Sequence, residues 1–348
     1  MKKIKGFAAF NPTSPLAPYE FNRRAPRPND VVINIDYCGI CHSDVHQAKN
    51  EWGATVYPIV PGHEIVGHIT AIGSEVKNFK VGDLAGVGCL VDSCLSCPDC
   101  SAGEEQFCQN GRVGTYNSIE RDGVTRTYGG YSESIVVREE FALKIPKNLN
   151  LAGVAPLLCA GITTYSPLKK WKVGAHSKVA VFGLGGLGHM AVQFAKSFGA
   201  HVSVFTRSEN KIVEAKQLGA DEAYSTKQQA QLTIALSNTF DFIIDTVSAP
   251  HDLNFNLTLL KRDGSCVLVG LPDVPPTIEV GNLIMGRKSL AGSLIGGIKE
   301  TQEMLDYCGE HNITSVVEVI APNEVNTAYA RMLKSDVKYR FVMDMSQL

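Results

Sequence analysis

Metal-ligating side chains cluster in two short stretches near the start of the chain, CGICHSDVHQ at 38–47 and PGHE at 61–64. A thiolate, an imidazole and a third protein ligand leave one position of a tetrahedral zinc open, as a catalytic zinc requires. We predict that Cys41 and His63 are two of these ligands. Cys159, an isolated cysteine in the apolar segment PLLCAGITTY, is the best candidate for the third.

An alternative interpretation of the first stretch is a redox-active pair, because Cys38 and Cys41 form a C-x-x-C motif. An isolated buried cysteine is also usually a small hydrophobic residue. What favours the metal interpretation is the combination of these stretches with two further motifs downstream, a four-cysteine motif and a glycine-rich motif.

A second cysteine motif follows in CLSCPDCSAGEEQFC, with the spacing C-x2-C-x2-C-x7-C. Its members are Cys94, Cys97, Cys100 and Cys108. Four thiolates close a tetrahedral site, so the motif predicts a structural zinc that stabilises a polar loop. An iron-sulfur cluster also uses cysteines two residues apart, but the ferredoxin pattern has a different final spacing and a proline after its last cysteine. Three other cysteines stand alone in apolar segments and are predicted to lie in the core: Cys89, Cys266 and Cys308.

Length and composition set the broad class of protein. The chain has 348 residues, more than one hydrophobic core normally serves, so two domains are expected. Its 33 basic and 35 acidic residues give a net charge of -2, which offers nucleic acid or an anionic membrane no basic surface on average. Neither a signal-like apolar segment nor a membrane-spanning run is evident. We expect a cytoplasmic protein, whose ten cysteines are better explained by metal binding than by disulfides.

The segment 1–152 is predicted to form a compact β-rich domain. VVINIDYCG alternates apolar and polar side chains, and IVGHITAIG, VGDLAGVG and YSESIVV resemble it, as expected of antiparallel strands. The metal-binding stretches then lie in loops, with a tight Pro-Gly turn fixing His63 at the entrance of a strand. The tail 297–348, with the helix-like ETQEMLDYC and the strand-like YRFVMD, is assigned to this domain.

The segment 153–296 is predicted to form a second, α/β domain with a doubly wound parallel sheet. The short β run at 179–182 precedes GLGGLG, which has G-x-G-x-x-G spacing and leads into an apolar helix face. Between a strand and a helix this motif indicates dinucleotide binding, because the glycines let the backbone approach a pyrophosphate. FDFIIDTV, SCVLVGL and SLAGSLI predict further strands. The cofactor-binding residues of the turn are Gly183, Leu184, Gly185, Gly186, Leu187 and Gly188.

The second strand of this domain, HVSVFT, indicates which cofactor is bound. It ends at Thr206, close to where NAD enzymes place an acidic residue on the ribose 2′-hydroxyl. Arg207, Ser208 and Lys211 follow, and two cations with two hydroxyls suit a 2′-phosphate, so NADP is favoured. The alternative is that both cations are solvated surface charges and that Glu209 binds the ribose.

Taken together, these motifs resemble the medium-chain zinc-dependent alcohol dehydrogenases, and within them the cinnamyl alcohol dehydrogenase (CAD)-like branch. The resemblance covers essentially the whole chain: CGICHSDVH, PGHEIVG, the four-cysteine loop, PLLCAGITTYSPL, GLGGLGH, KRDGSCVLVG, GSLIGG and VKYRFV. It implies a GroES-like catalytic domain, a Rossmann-type domain and two zinc ions per chain. The implied reaction is hydride transfer between NADP(H) and aromatic or medium aliphatic aldehydes and alcohols. A homodimer that pairs edge strands near 288–295 is also implied.

The resemblance assigns roles to individual residues. It places Cys41, His63 and Cys159 on the catalytic zinc, with Glu64 able to exchange onto the metal and Asp44 orienting His63. Ser43 and His46 fit a relay that carries the oxygen's proton to water, unless His46 is only a surface residue. By the same resemblance, His42, Arg340 and Thr163 lie near the cofactor. Trp52 and Leu90 line the substrate pocket, unless Trp52 is ordinary core.

Two other functions stay open. One is a polyol dehydrogenase, although such enzymes often lack the four-cysteine loop that is present here. The other is a noncatalytic zinc-binding relative, which we would expect to lose Cys41, His63 or Cys159. A binding module with a purely structural zinc would carry no Rossmann half. Two zinc ions per chain would support the enzyme, and one the structural interpretation.

Overall fold

The computed structural model describes residues 2–272 and 274–348. They form two compact units, one built from residues up to 162 and from 296 onward, the other from 163–295. The sequence predicts the first boundary at 152. The difference arises because side chains between 153 and 162, such as Leu157 and Leu158, are buried in the first unit against the ends of its strands.

Strands dominate the first part of the chain and alternate with helices in the second. In chain order the described strands are β1 Lys2–Ala8, β2 Ala17–Arg23, β3 Asp30–Ile40, β4 Ile65–Ile72, β5 Leu84–Val87, β6 Leu90–Asp92, β7 Val113–Gly114, β8 Ser134–Arg138, β9 Leu143–Lys144, β10 Lys178–Phe182, β11 His201–Thr206, β12 Glu222–Ser225, β13 Phe240–Asp245, β14 Leu260–Leu268, β15 Ser289–Gly292, β16 Val317–Ile320 and β17 Arg340–Asp344.

The α-helices have 4 to 14 residues and occur in both units. The described ones are α1 His42–Ala48, α2 Pro98–Ser101, α3 Leu151–Val154, α4 Ala160–Lys170, α5 Gly188–Ser197, α6 Asn210–Gln217, α7 Gln229–Leu236, α8 Leu253–Leu259, α9 Val280–Ile284, α10 Ile298–His311 and α11 Val325–Leu333. Single 3-10 turns lie at Glu105–Phe107, Glu139–Phe141, Ala155–Leu158, Thr226–Gln228, Pro322–Glu324 and Met345–Gln347.

The first unit is built on a sheet with strand order β16-β17-β3-β4-β5-β9, with β8 also paired to β3. The pairings are antiparallel except for β16 with β17, which confirms the predicted β-rich domain. Cys38 near the end of β3 lies opposite Ile65 at the start of β4. This register brings together the two chain segments that carry Cys41 and His63.

The second unit contains a parallel sheet with strand order β12-β11-β10-β13-β14-β15. The sequence predicts a doubly wound parallel sheet, and this sheet is one. Its order reverses between β10 and β13, where such sheets bind ligands. The central strand β10 is apolar because both of its faces are covered. Phe182 of β10 stacks on Phe205 of β11 with ring centroids 4.6 Å apart, at the centre of this core.

Among the described residues, no single helix has the length and apolar character needed to cross a membrane. The segments Leu151–Leu158 and Ala160–Lys170, which meet at 58°, pass that test only when taken as a pair. Most of their apolar side chains, including Leu157 and Leu168, are buried inside the protein.

Candidate metal centres and cofactor-binding turn

Four metal-ligating side chains meet in the first unit. Cys41 caps the N-terminus of α1, directly after β3. His63 and Glu64 occupy the turn that leads into β4, and Cys159 lies between a 3-10 turn and α4. Ligand atoms of these four residues all lie within 4.8 Å of one another, and all four residues are buried. The structure thus brings together residues more than a hundred positions apart in the sequence.

Asp44 links the two halves of this cluster. One of its carboxylate oxygens lies 3.0 Å from Nδ1 of His63 and accepts the backbone N–H of Gly62 at 3.1 Å. The other accepts the backbone N–H of Cys41 at 2.9 Å. With Nδ1 held by Asp44, the Nε2 of His63 is free to act as a metal ligand, which is the usual arrangement of a metal-bound histidine.

The thiols and the imidazole influence one another strongly. A hydrogen bond with Cys159 lowers the pKa of Cys41 well below its usual value, and the same bond raises that of Cys159. Burial opposes protonation of His63, but the charge of Asp44 raises the pKa of His63 well above its ordinary value. Metal binding at such a site displaces protons from the thiols and the imidazole.

Glu64, the fourth member of the cluster, contacts Arg340 of β17. The guanidinium pairs with one carboxylate oxygen of Glu64, and both side chains are almost fully buried. The other oxygen, Oε2, is buried without a hydrogen-bond partner. A Cβ on Gly39 would lie 2.0 Å from that oxygen, so only glycine leaves room for it. Burial raises the pKa of Glu64 to about 7, although the charge of Arg340 opposes this.

The cluster fits a zinc ion. Two sulfurs, one imidazole nitrogen and an unpartnered carboxylate oxygen are the ligand types that zinc binds in catalytic sites. A buried polar atom without a partner is costly, and a cation beside Oε2 of Glu64 would satisfy it.

The predicted relay residues lie on α1. Ser43 places its hydroxyl 3.7 Å from Sγ of Cys41. His46 is not a free surface residue, because its Nδ1 lies 2.5 Å from a carboxylate oxygen of Glu51. The sequence analysis did not single out Glu51. A carboxylate five residues after His46 could have suggested it as a partner of that imidazole. His42 is exposed at the start of the same helix.

Of the two predicted pocket residues, one is exposed and one is buried. Trp52 is 43% exposed and stacks on His46 with ring centroids 5.0 Å apart, so the alternative that it is ordinary core is wrong. Leu90, in β6, is only 3% exposed. The interpretation of the neighbouring Cys89 as core is also wrong, because its half-buried thiol hydrogen-bonds with Cys159, which lowers its pKa. Cys266 and Cys308 are fully buried, as predicted.

The second metal-ligand cluster consists of four cysteines and lies in the loop between β6 and β7. The sulfurs of Cys94, Cys97, Cys100 and Cys108 lie within 4.8 Å of one another. Backbone N–H groups point at them: that of Cys94 donates to Cys108 at 3.4 Å, and that of Cys97 to Cys94 at 3.3 Å. Hydrogen bonds, first that from Ser96, lower the pKa of Cys94 to about 5, whereas burial raises that of Cys100 to about 12. A zinc ion would keep all four as thiolates, so this cluster also fits zinc.

In the second unit, the glycine motif joins β10 to α5. Gly183 has a φ of +85°, in the region where glycine is favoured, and a Cβ on Gly188 would lie 2.0 Å from the carbonyl oxygen of Gly183. A Cβ on Gly185 would meet no atom within 4 Å, so the backbone there is open to a ligand. These are the three roles that glycines have in a dinucleotide-binding turn.

The predicted 2′-phosphate ligands lie at the end of β11 and directly after it. Thr206 is 5% exposed and its hydroxyl accepts the backbone N–H of Ser208 at 3.3 Å. Arg207 and Ser208 are exposed, and Lys211 is half-buried, which lowers its pKa. Glu209, the alternative ribose ligand, is mostly exposed and lies 3.6 Å from Lys227.

Fold and site define a zinc-binding dehydrogenase. Residues 27–147 match the alcohol dehydrogenase GroES-like domain, and residues 186–310 match the zinc-binding dehydrogenase family. The chain is 54% identical to the aldehyde reductase YahK of Escherichia coli, over 98% of each chain. It is 55% identical to a mannitol dehydrogenase of Petroselinum crispum, over 95% of this chain and 98% of the relative.

A solved structure gives the same result. The chain superposes on CAD from Helicobacter pylori complexed with NADP(H) with a TM-score of 0.93, at 45% identity and over 99% of each chain. The protein therefore belongs to the medium-chain zinc-dependent alcohol dehydrogenase family.

Proposed function

We propose that this protein is an NADP-dependent alcohol dehydrogenase and aldehyde reductase that acts on aromatic or medium aliphatic substrates. The observation that carries the proposal is the buried cluster of Cys41, His63, Glu64 and Cys159, which supplies ligands for a catalytic zinc. The relative that is an aldehyde reductase and the relative complexed with NADP(H) support the same reaction and cofactor.

The chain's residues hold and orient the reacting groups. When bound, zinc supplies Lewis-acid polarisation of the substrate oxygen, and NADP(H) supplies or accepts the hydride. Cys41, His63 and Cys159 would hold the metal, and Asp44 fixes the ring of His63. Glu64, tied to Arg340 through one oxygen, would offer the other to the metal when the substrate position is empty.

The substrate oxygen gains or loses a proton in each direction of the reaction. Ser43 lies at the edge of the metal cluster, and His46 is one helical turn further along α1. We assign proton transfer to Ser43 and His46. Glu51 would pass the proton on to solvent, because its side chain contacts His46 and is 42% exposed. An imidazole is suited to this role near neutral pH.

Cofactor choice rests on the end of β11. Thr206 replaces the carboxylate that would bind ribose hydroxyls and repel a phosphate, and Arg207, Ser208 and Lys211 offer donors to a 2′-phosphate. A hydrogen bond to a charged group contributes about 1.5 to 3 kcal/mol. Two or three such contacts favour NADPH over NADH by on the order of a hundredfold, at about 1.4 kcal/mol per factor of ten.

Changing Thr206 to Asp should therefore lower kcat/KM for NADPH by on the order of a hundredfold and leave that for NADH nearly unchanged. Arg207→Ala should have a smaller effect in the same direction, because one cation of several is lost. Lys227→Ala is the matched control, since Lys227 is an exposed cation paired with Glu209. An unmodified enzyme that uses NADH as well as NADPH would refute the NADP assignment, though not the dehydrogenase assignment.

For the substrate, we propose that Trp52 and Leu90 form an apolar wall that favours aldehydes with an aromatic or aliphatic body. The exposed indole of Trp52 offers a ring face for such a group. A polyol dehydrogenase is the second candidate, because a mannitol dehydrogenase is among the similar proteins. Comparing kcat/KM for aromatic aldehydes with that for mannitol oxidation separates the two.

We further propose a homodimer in the cytoplasm. Strand β15 is the edge of the parallel sheet. Apolar side chains at the end of α9 and directly after it are largely exposed, with Ile284 at 70% and Met285 at 90%. Pairing of two β15 strands would cover this surface. Light scattering at micromolar concentration should give the mass of two chains, and a monomer would contradict the dimer.

A further inference from the structure

The carboxylate that orients His63 is itself held by a tyrosine. We propose that Tyr131 is a positioning residue, whose hydroxyl fixes Asp44 and through it the metal ligands His63 and Cys41. The proposal rests on the zinc-dependent function proposed above. It adds a residue from a distant part of the sequence, 87 positions away from Asp44.

Asp44 is a buried anion surrounded mostly by neutral donors. It has no exposed surface, and among the described residues no Lys or Arg lies within salt-bridge distance of it. Oδ1 accepts from Gly62 and faces His63, whereas Oδ2 accepts from Cys41 and from the Tyr131 hydroxyl at 3.1 Å. A buried carboxylate is costly unless it is hydrogen-bonded, so each donor matters for its position.

The hydroxyl of Tyr131 is oriented by a second tyrosine. The Tyr329 hydroxyl donates to that of Tyr131 at 3.4 Å, which leaves the proton of Tyr131 for Asp44. Burial raises the pKa of both tyrosines well above the usual value, so both remain protonated donors. The direction of hydrogen bonding therefore runs from Tyr329 through Tyr131 to Asp44.

The ring of Tyr131 is fixed beside the metal-binding turn. Its backbone N–H donates to Pro61 at 3.0 Å, and that of Gly130 donates to Gly62 at 2.9 Å. A Cβ on Gly62 would lie 2.7 Å from the Tyr131 ring, so the ring packs directly on the residue before His63. Tyr131 is thus connected to the turn that carries His63 by backbone hydrogen bonds and by direct packing of its ring.

A buried arginine holds the loop that carries Tyr131. The Arg23 guanidinium donates to the carbonyl oxygens of Tyr128, Gly129 and Ser134 at 2.6, 2.9 and 2.9 Å. It also donates to the Ser132 hydroxyl at 3.0 Å. Burial lowers its pKa to about 9. Among the described residues no carboxylate lies within salt-bridge distance of this guanidinium, and four oxygens of the segment 128–134 hold it instead. Because Tyr131 belongs to that segment, these contacts help to keep its hydroxyl in place.

Changing Tyr131 to Phe tests the proposal, because it removes only the hydroxyl and keeps the ring that packs on Gly62. Losing the direct partner of a metal ligand, a role that Asp44 has for His63, typically lowers metal affinity about tenfold to a hundredfold. Because Tyr131 acts through Asp44, we expect a smaller effect: zinc should leave the Cys41–Cys159 cluster several times faster, measured by transfer to a chromophoric chelator. The visible spectrum of cobalt substituted at that cluster should also change, whereas zinc in the four-cysteine cluster should be released as in the unmodified protein.

Tyr329→Phe removes the hydroxyl that orients Tyr131 but does not contact Asp44, so zinc release should be faster than in the unmodified protein and slower than in Tyr131→Phe. Tyr57→Phe is the matched control, because its hydroxyl donates to the carbonyl oxygen of Ala48 at 2.8 Å and not to Asp44, so zinc release should stay at the unmodified rate. If Tyr131→Phe and Tyr57→Phe release zinc equally fast, or if Tyr131→Phe behaves like the unmodified protein with an unchanged cobalt spectrum, the proposal is overturned.

Should Tyr131→Phe fail to fold, Arg23→Lys supplies a second test. It keeps the charge but cannot donate to all four oxygens of the loop, so zinc release should again be faster. Release at the unmodified rate would contradict the proposal. An unmodified protein that binds no zinc at Cys41 and His63 would instead overturn the metal assignment on which the proposal rests.

Discussion

Replacing Cys41 with Ser, His63 with Ala or Cys159 with Ala is expected to abolish aldehyde reduction while the protein stays folded. Each change removes one ligand from a buried cluster whose atoms lie within 4.8 Å of one another. Lewis-acid stabilisation contributes several kcal/mol to such a reaction. At about 1.36 kcal/mol per factor of ten, kcat should fall by roughly a thousandfold or more.

Cys308→Ala is the control for these variants. Cys308 is a buried cysteine of α10 that packs against Met304 and contacts neither metal cluster. It should lose some stability and keep nearly the full kcat. A ligand variant that keeps zinc at this site and turns over at close to the unmodified rate would show that the assigned residues are wrong.

The second large effect is expected in the four-cysteine loop, where Cys97→Ser or Cys100→Ser should act on stability. Structural zinc contributes folding free energy directly, by several kcal/mol. Because about 1 kcal/mol shifts the melting midpoint of a domain this size by roughly 2 to 4 °C, the midpoint should fall by on the order of 10 °C. Activity per folded molecule should be mostly preserved.

The structure shows what else the loop supports. Glu105, which lies between Cys100 and Cys108, accepts the backbone N–H of Ile298 at 2.9 Å, at the start of α10. Losing the metal should therefore loosen that helix as well, which hydrogen exchange of α10 would reveal. An unchanged melting curve together with lost turnover would mean that the roles of the two clusters are reversed.

Local motifs carried most of what the sequence could predict. The glycine turn, the four-cysteine loop and the strand before Cys41 each depend on residues close together in the chain, so their spacing alone indicates their structure. Cys159 could be predicted as the third ligand because it is an isolated cysteine in an apolar segment. The β-rich domain and the doubly wound parallel sheet follow once the family fold is assigned.

Contacts between distant segments could not be predicted. Tyr131 lies in GGYSES, which resembles any half-buried strand, and only the folded chain shows its hydroxyl at Asp44. Cys89 looked like core because its neighbours are apolar, yet the start of β6 brings it beside Cys159. The sequence did not single out Arg23, because a sequence does not show which segment will bury an arginine.

The most direct test is reduction of an aromatic aldehyde by NADPH, measured as zinc is removed from the purified protein and then restored. The account predicts two zinc ions per chain, with turnover lost when the ion at Cys41, His63 and Cys159 is removed and regained when zinc is returned. Undiminished turnover after that ion has gone, or no NADPH-dependent turnover from protein that carries both ions, would contradict it.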